Sequence, residues 1–159
     1  MASSGTKKTA LKPQRLAHLV LRVRDLKRTE RFYTEVLGLH VTGHIPGRMV
    51  FFAASDESSH ELAAQALGPD ALGPEQDRVG LYHFAWKMGS VQELEVFYLH
   101  LKDNDACIVG IGDHGTSLGI YFLDPDGNEI EVFYELPREE WPHDDPIFRG
   151  KFPIEVNLE

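Results

Sequence analysis

The chain has 159 residues, 42% of them apolar, which suits one domain with a hydrophobic core and argues against a disordered protein. Sixteen basic and 25 acidic side chains give a formal net charge of −9, a sign that disfavours nucleic acids and anionic membranes as partners. The single cysteine excludes an internal disulfide and fits a reducing compartment. No apolar run approaches the about 20 residues of a membrane span, and residues 1–10 lack the apolar core of a secretory signal. We therefore expect a cytoplasmic protein.

An internal repeat organises the sequence. The segment Leu16–Val23 matches Leu81–Met88 at a constant offset of 65 residues, and the same offset relates Phe32 and Tyr33 to Phe97 and Tyr98. The repeat predicts two similar modules, a linker with two Gly-Pro steps and a polar tail. We place module one at 14–67, the linker at 65–78, module two at 79–136 and the tail at 137–159.

Module one begins with a short apolar run of strand length, within Leu16–Val23. Asp25 is suited to cap a helix whose apolar positions continue to Leu37, and Gly38 is suited to end it in the left-handed conformation. Three further strands are predicted, at His40–Ile45, Arg48–Ala53 and Ser58–Ala64.

Module two repeats this order of elements. Ser90 and Glu93 form a capping box in front of a helix with a buried apolar stripe. Strands are predicted at Ala106–Ile111, Ser117–Leu123 and Glu129–Glu135, the last two joined by a turn with Pro and Gly. Both modules therefore read βαβββ, and we expect an α+β fold in which two tandem modules form a cup-shaped mixed sheet with helices on its outer face.

The alternation of side chains along a strand assigns residues to the two faces of this sheet. His18 and His83 occupy the same position in the two opening strands, on the face away from the helices, and the carboxylates Glu129 and Glu131 share that face. Two imidazoles and one carboxylate form the facial set that holds a divalent metal and leaves positions open for substrate and oxygen. The alternative is that His18 and His83 are ordinary strand histidines that hydrogen-bond within the core.

The segment 121–133, Tyr-Phe-Leu-Asp-Pro-Asp-Gly-Asn-Glu-Ile-Glu-Val-Phe, resembles catechol 2,3-dioxygenases. These belong to the vicinal oxygen chelate superfamily of glyoxalases, bleomycin-resistance proteins and type I extradiol dioxygenases, and the resemblance covers about residues 16–136. It implies metal ligands at His18, His83 and Glu131, with Glu129 excluded. The metal implied is Fe(II), with Mn(II) as the alternative.

Three further residues match positions of the ring-cleaving members. His60 in Ser-His-Glu-Leu-Ala resembles the acid/base of these enzymes, a histidine that lies beside the metal site without binding the metal. Its place in module one is roughly that of Glu131 in module two. Tyr121 matches a tyrosine that hydrogen-bonds substrate or intermediate. His114 lies in a loop like that of small one-domain catechol dioxygenases, where it would contact substrate. Each has a plainer interpretation, as a surface histidine or a packed aromatic.

The resemblance implies an extradiol dioxygenase that acts on a small aromatic diol with O2. A second possibility is a non-redox metal enzyme, such as a glyoxalase-like isomerase or an epoxide-opening resistance enzyme. Such a site would need one more metal ligand, a carboxylate from module one. Glu61 provides it only if the strand register shifts by one residue. A third is a metal-free drug-binding module. We also expect a homo-oligomer, because domains of this size with exposed sheet edges often pair.

Overall fold

The computed structural model describes residues 12–75, 77–144 and 146–154, so the segment 1–10, expected to carry no signal, lies outside it. Its elements follow the predicted order. Strands and helices are β1 (Leu19–Val23), α1 (Leu26–Arg31), β2 (His40–Ile45), β3 (Met49–Ala53), β4 (Leu62–Ala66), β5 (His83–Lys87), α2 (Val91–Asp103), β6 (Cys107–Asp113), β7 (Ser117–Leu123) and β8 (Glu129–Glu135). No helix of these described ranges has the length and apolarity to cross a bilayer.

The strands form two four-stranded mixed sheets, ordered β1-β4-β3-β2 and β5-β8-β7-β6. In each sheet the first strand of the module pairs in parallel with the last, and the remaining pairs are antiparallel. Both sheets carry a register shift at the same place, between Val41 and Gly43 in β2 and between Ile108 and Gly110 in β6. The two tandem βαβββ modules predicted from the repeat are confirmed.

The last strand of module one is displaced from its predicted position. The sequence predicts this strand at Ser58–Ala64, whereas β4 begins at Leu62 and ends at Ala66. Pairing with β1 explains the shift, because Leu19 lies opposite Leu62 and Val23 lies opposite Ala66. Residues 54–61 instead form the irregular connection from β3. Apolar content alone does not show where such a connection ends.

The first helix is shorter than predicted. Asp25 caps α1 by accepting the Arg28 N–H at 2.9 Å, and this backbone hydrogen bond lowers the pKa of Asp25. The helix continues as a wider π-helical turn, Phe32–Val36, closed by the Leu37 N–H to the Phe32 carbonyl. Gly38 ends it at φ +81°, as predicted. Apolar spacing does not distinguish the π turn from an α-helix, so the change of pitch was not foreseen.

The helices cover one face of the two sheets and share one hydrophobic core. Its members include Leu21, Phe52, Leu101, Phe122 and Ile130. Burial of each such side chain contributes about 1.5–3 kcal/mol. Alternation along β1 leaves Val20 and Arg22 exposed on the opposite face, as predicted.

A polar joint connects the start of the first helix to the β7–β8 turn, and we call it the module joint. The carboxylate of Asp126 accepts hydrogen bonds from Arg24 Nη1 at 2.8 Å and from Arg28 Nη2 at 2.7 Å. The buried hydroxyl of Tyr33 donates to Asp124 Oδ2 at 3.0 Å. Burial, followed by the charge of Asp124, raises the pKa of Tyr33 well above its ordinary value, so the phenol remains a donor.

The C-terminal segment is not merely a polar tail. After a short 3-10 turn, Arg138–Glu140, the chain returns to sheet two and runs beside β6. Asp113 and Lys151 exchange backbone hydrogen bonds of 3.0 and 3.1 Å, and the Ile154 N–H donates to the Ile111 carbonyl at 2.8 Å. The described part of this segment therefore covers an edge of sheet two.

Candidate functional site

Glu131 lies at the centre of the face opposite the core. Its neighbours in β8, Ile130 and Val132, are buried against the helices, so Glu131 points to the other side of the sheet. It is nevertheless only 8% exposed, and a buried carboxylate needs partners. The hydroxyl of Tyr121, directly opposite on β7, donates to Glu131 Oε1 at 2.7 Å.

Tyr121 is held as a hydrogen-bond donor. Burial and then the hydrogen bond to Glu131 raise its pKa far above the ordinary tyrosine value. His114 Nε2 lies 2.7 Å from the same hydroxyl oxygen. Because the hydroxyl proton is directed to Glu131, the tautomer that fits is the one in which His114 Nε2–H donates to that oxygen. The three side chains form one hydrogen-bonded chain.

His83 reaches the same carboxylate from the neighbouring strand. Its Nε2 lies 3.4 Å from Glu131 Oε2, and its ring meets the Tyr121 ring edge to face at 5.4 Å. The other ring nitrogen, Nδ1, is buried and has no hydrogen-bond partner among the described residues, and Glu129 Oε1 lies 3.6 Å away. Glu129 therefore stands behind His83, where a carboxylate commonly orients a metal-binding imidazole.

His18 and His60 form a second group in module one. His18 directly precedes β1, and its ring centroid lies 4.7 Å from that of His60. Phe51 packs edge to face against His60 at 5.3 Å, and Ser59 Oγ lies 3.1 Å from His60 Nδ1. The two module-one residues predicted to act together are therefore neighbours.

The predicted equivalence of His60 and Glu131 is wrong. Val20 of β1 pairs with Ala63, as Ala85 of β5 pairs with Glu131, so Ala63 is the true counterpart of Glu131. The repeat offset changes between the first and last strands because the two modules differ in connection length. The module-one position equivalent to Glu131 therefore carries no ligand atom.

Two cavities adjoin at His83. One, of about 390 Å³, is lined by His83, His114, Tyr121 and Glu131 together with apolar residues. The other, of about 340 Å³, lies between β1 and β5 and is lined by His18, Glu61 and His83 among others. The structure thus brings His83, Glu131, Tyr121 and His114 together at the first cavity and places His18, in contact with His60, at the second.

The donor chemistry of His83 and Glu131 suits a divalent cation. An imidazole nitrogen and a carboxylate oxygen 3.4 Å apart are compatible with bonds of about 2.1 Å to one ion. Within residues 12–75, 77–144 and 146–154, however, no three His, Cys, Asp or Glu side chains lie close enough to hold a metal. The complete triad His18, His83 and Glu131 stays a prediction, of which this geometry supports the second and third members.

Gly119 leaves the space that Glu131 occupies. A Cβ atom added at this position of β7 would overlap Glu131 Oε1 and would lie 3.2 and 3.3 Å from Cδ and Cγ of the same side chain. A residue with a side chain would therefore displace the whole carboxyl group. The only signal for this role in the sequence is the position of Gly119 inside a predicted strand, where a glycine often marks such a close approach.

Two aromatic residues of the site lie in the segment that the sequence predicts to be a polar tail. Phe148 and Phe152 of the C-terminal segment line the cavity that contains Glu131. They lie outside both repeats, in a stretch without strand periodicity, so the sequence offered no signal that placed them there.

Comparison with known proteins identifies the family. The model of the glyoxalase/bleomycin resistance protein/dioxygenase superfamily matches residues 15–132. A catechol-2,3-dioxygenase of Bacillus subtilis is 32% identical over 130 residues, covering 81% of this chain and 44% of that protein. A biphenyl-2,3-diol 1,2-dioxygenase of Rhodococcus globerulus is 36% identical over 121 residues, covering 74% of this chain and 62% of that protein. The chain thus spans about half the length of these relatives.

Solved structures share the fold. A lactoylglutathione lyase from Agrobacterium tumefaciens superposes with a TM-score of 0.60 at 22% identity, over 77% of this chain and 94% of that one. The protein belongs to the glyoxalase/bleomycin resistance protein/dioxygenase superfamily, the vicinal oxygen chelate superfamily, as its sequence motifs indicated.

Proposed function

We propose that the protein is an Fe(II)-dependent extradiol dioxygenase that opens the ring of a catechol beside its two hydroxyls. The observation that carries the proposal is the hydrogen-bonded chain His114, Tyr121 and Glu131, with His83 beside it, at the wall of one cavity. Relatives 32% and 36% identical to the chain are named as a catechol-2,3-dioxygenase and a biphenyl-2,3-diol 1,2-dioxygenase. In the reaction both atoms of O2 enter the product, and one ring C–C bond is broken.

Each residue has a role in this proposal. His18, His83 and Glu131 would hold the metal, which supplies Lewis acidity and redox capacity when bound. Tyr121 keeps its proton, which the hydroxyl donates to Glu131 in the structure. In the proposal this hydroxyl turns from Glu131 to a substrate oxygen that gains negative charge within the same cavity. His114 fixes the orientation of that hydroxyl through the 2.7 Å contact.

His60 is the proposed acid/base. Imidazole is the side chain suited to exchange protons near neutral pH. The contact between the tilted rings of His18 and His60, whose centroids lie 4.7 Å apart, places it next to a proposed ligand. A substrate proton taken there would be returned to an oxygen atom during ring opening.

The isomerase alternative needs a fourth ligand from module one. Ala63 occupies the position equivalent to Glu131 and supplies none. Glu61 lines the cavity of His18, but its Oε2 accepts the Ala54 N–H at 2.7 Å. This engagement of Glu61 favours the three-ligand site, and with it the dioxygenase.

The decisive experiment combines metal binding with oxygen uptake. Protein purified anaerobically and loaded with Fe(II) is expected to consume O2 when catechol is added, with formation of a yellow ring-opened semialdehyde. Glu131→Gln should abolish tight Fe(II) binding in an anaerobic titration. Glu129→Gln is the matched control, two residues away on the same strand and isosteric, and should weaken binding by about 10- to 100-fold without abolishing it.

Two results would contradict the proposal. If iron-loaded protein consumes no O2 with a range of substituted catechols, the dioxygenase activity is wrong. If Glu129→Gln loses the metal and Glu131→Gln keeps it, the ligand assignment is wrong while the metal-enzyme class survives.

A further inference from the structure

The cavity that contains Glu131 is completed by the C-terminal segment. Four backbone hydrogen bonds hold this segment to β6 and the loop after it. Arg149 N–H donates to the His114 carbonyl at 2.8 Å, followed by the exchange between Asp113 and Lys151 and the bond from Ile154 to Ile111. These hydrogen bonds fix the backbone of the segment between Arg149 and Ile154 beside β6. Phe152 is thereby directed over the sheet.

The ring of Phe152 packs against two glycines of β6. A Cβ atom at Gly110 would lie 2.8 Å from Phe152 Cζ, and one at Gly112 would lie 3.3 Å from Phe152 Cδ2. The Phe152 ring also meets Tyr121 edge to face, with centroids 5.0 Å apart. Edge-to-face contact is a favoured arrangement of aromatic pairs, so the ring is positioned rather than loosely attached.

Despite this support, Phe152 remains 43% exposed, and Phe148 is 66% exposed. Both line the cavity beside Tyr121 and Glu131. A positioned aromatic surface that is left uncovered at a cavity wall is suited to pack against a ligand. Among the described residues that line this cavity, none is a lysine or an arginine.

We infer that Phe152, assisted by Phe148, selects catechols whose ring carries an apolar substituent and disfavours those that carry a carboxylate. The inference rests on the proposed dioxygenase function and adds its substrate class. An alkyl or aryl group directed at the C-terminal segment would meet phenyl surface. A carboxylate there would lose water without gaining a cationic partner among the described residues that line the cavity, and it would approach the charge of Glu131.

The test measures ligand selectivity in addition to turnover. Iron-loaded protein is titrated anaerobically by calorimetry with catechol, 4-methylcatechol and 3,4-dihydroxybenzoate, and kcat and KM are measured separately in air. For Phe152→Ala we expect the Kd of 4-methylcatechol to rise by about three- to tenfold, the range of one aromatic contact. The Kd of 3,4-dihydroxybenzoate should stay within about twofold.

Two further variants provide a control outside the cavity and a second way to disturb Phe152. Val96→Ala removes exposed apolar surface from α2, outside the cavity, and should leave all three dissociation constants unchanged. Gly110→Ala displaces the Phe152 ring without removing it and should reproduce the loss of selectivity, even where Phe152→Ala proves too unstable to assay.

The outcomes separate this inference from the function on which it rests. If the wild-type protein binds and oxidises catechols but Phe152→Ala and Gly110→Ala leave selectivity unchanged, or shift all three ligands in parallel, the inference is wrong and the dioxygenase stands. If the wild-type protein binds none of the three, the proposed function fails and the inference fails with it.

Discussion

Substitution of Gly119 by alanine tests the site without removing any polar group from it. The new methyl group would overlap the carboxylate of Glu131, and the contacts to Cδ and Cγ mean that rotation of the terminal oxygens alone does not relieve the overlap. Glu131 must then move away from Tyr121, its donor at 2.7 Å, and from His83. We expect both the stability and the metal affinity of the protein to fall.

The magnitude follows from the hydrogen bond that is lost. A buried hydrogen bond to a charged group contributes about 1.5–3 kcal/mol. Replacement of glycine by alanine in a strand also stabilises by about 0.4–1 kcal/mol through the unfolded chain, where strain is absent. Gly43→Ala in β2 isolates this second effect, because its Cβ would meet only Phe51 Cδ2, at 4.0 Å. The two variants should therefore differ by about 1.5–3 kcal/mol, with Gly119→Ala the less stable.

Chemical denaturation and an anaerobic Fe(II) titration measure the two quantities. Gly119→Ala should bind Fe(II) about 10- to 100-fold more weakly than Gly43→Ala, as is typical when the support of a ligand is disturbed. Equal stability and equal affinity in the two variants would show that Glu131 moves freely. The hydrogen-bonded chain would then not hold the carboxylate in place.

Two further predictions concern the module joint and the proposed acid/base. Tyr33→Phe should cost about 1.5–3 kcal/mol at pH 8, because it removes the bond to Asp124. The raised pKa of Tyr33 means that above about pH 10 the unfolded chain loses a proton that the folded protein keeps. Wild-type stability should therefore fall between pH 9 and 11 more steeply than that of Tyr33→Phe, and parallel pH profiles in denaturation experiments would refute this. His60→Gln should bind metal and catechol normally but turn over about 10²–10⁴ times more slowly, and wild-type rates across pH 6–9 would return His60 to the surface-residue interpretation.

The repeat in the sequence was sufficient to predict most of the fold. Alternation along the strands correctly placed Glu131 on the face opposite Ile130 and Val132. Tyr121 lies directly opposite Glu131 on β7, whereas His83 pairs with Glu129 and reaches Glu131 diagonally from β5. These features follow from local periodicity, which the sequence records directly.

The sequence failed where structure depends on chain pairing at a distance. Ala63, and not His60, is equivalent to Glu131 because the hairpin connections differ in length, which the offset between the opening strands does not reveal. The pairing of Lys151 with Asp113 joins residues without any shared pattern. Phe152 therefore could not be assigned to the site before its contact with β6 was known.

The module joint also makes the two halves of the chain non-interchangeable. Arg24 and Arg28 of module one donate hydrogen bonds to Asp126 in the turn of module two. The residues that correspond to these arginines in module two, 65 positions later, are Gly89 and Glu93, and neither is a cation. Asp126 in turn belongs to module two, so the module joint requires one module of each kind. Two copies of module one would lack Asp126, and two copies of module two would lack both arginines. The charges of the two modules are therefore complementary, which favours their pairing with each other.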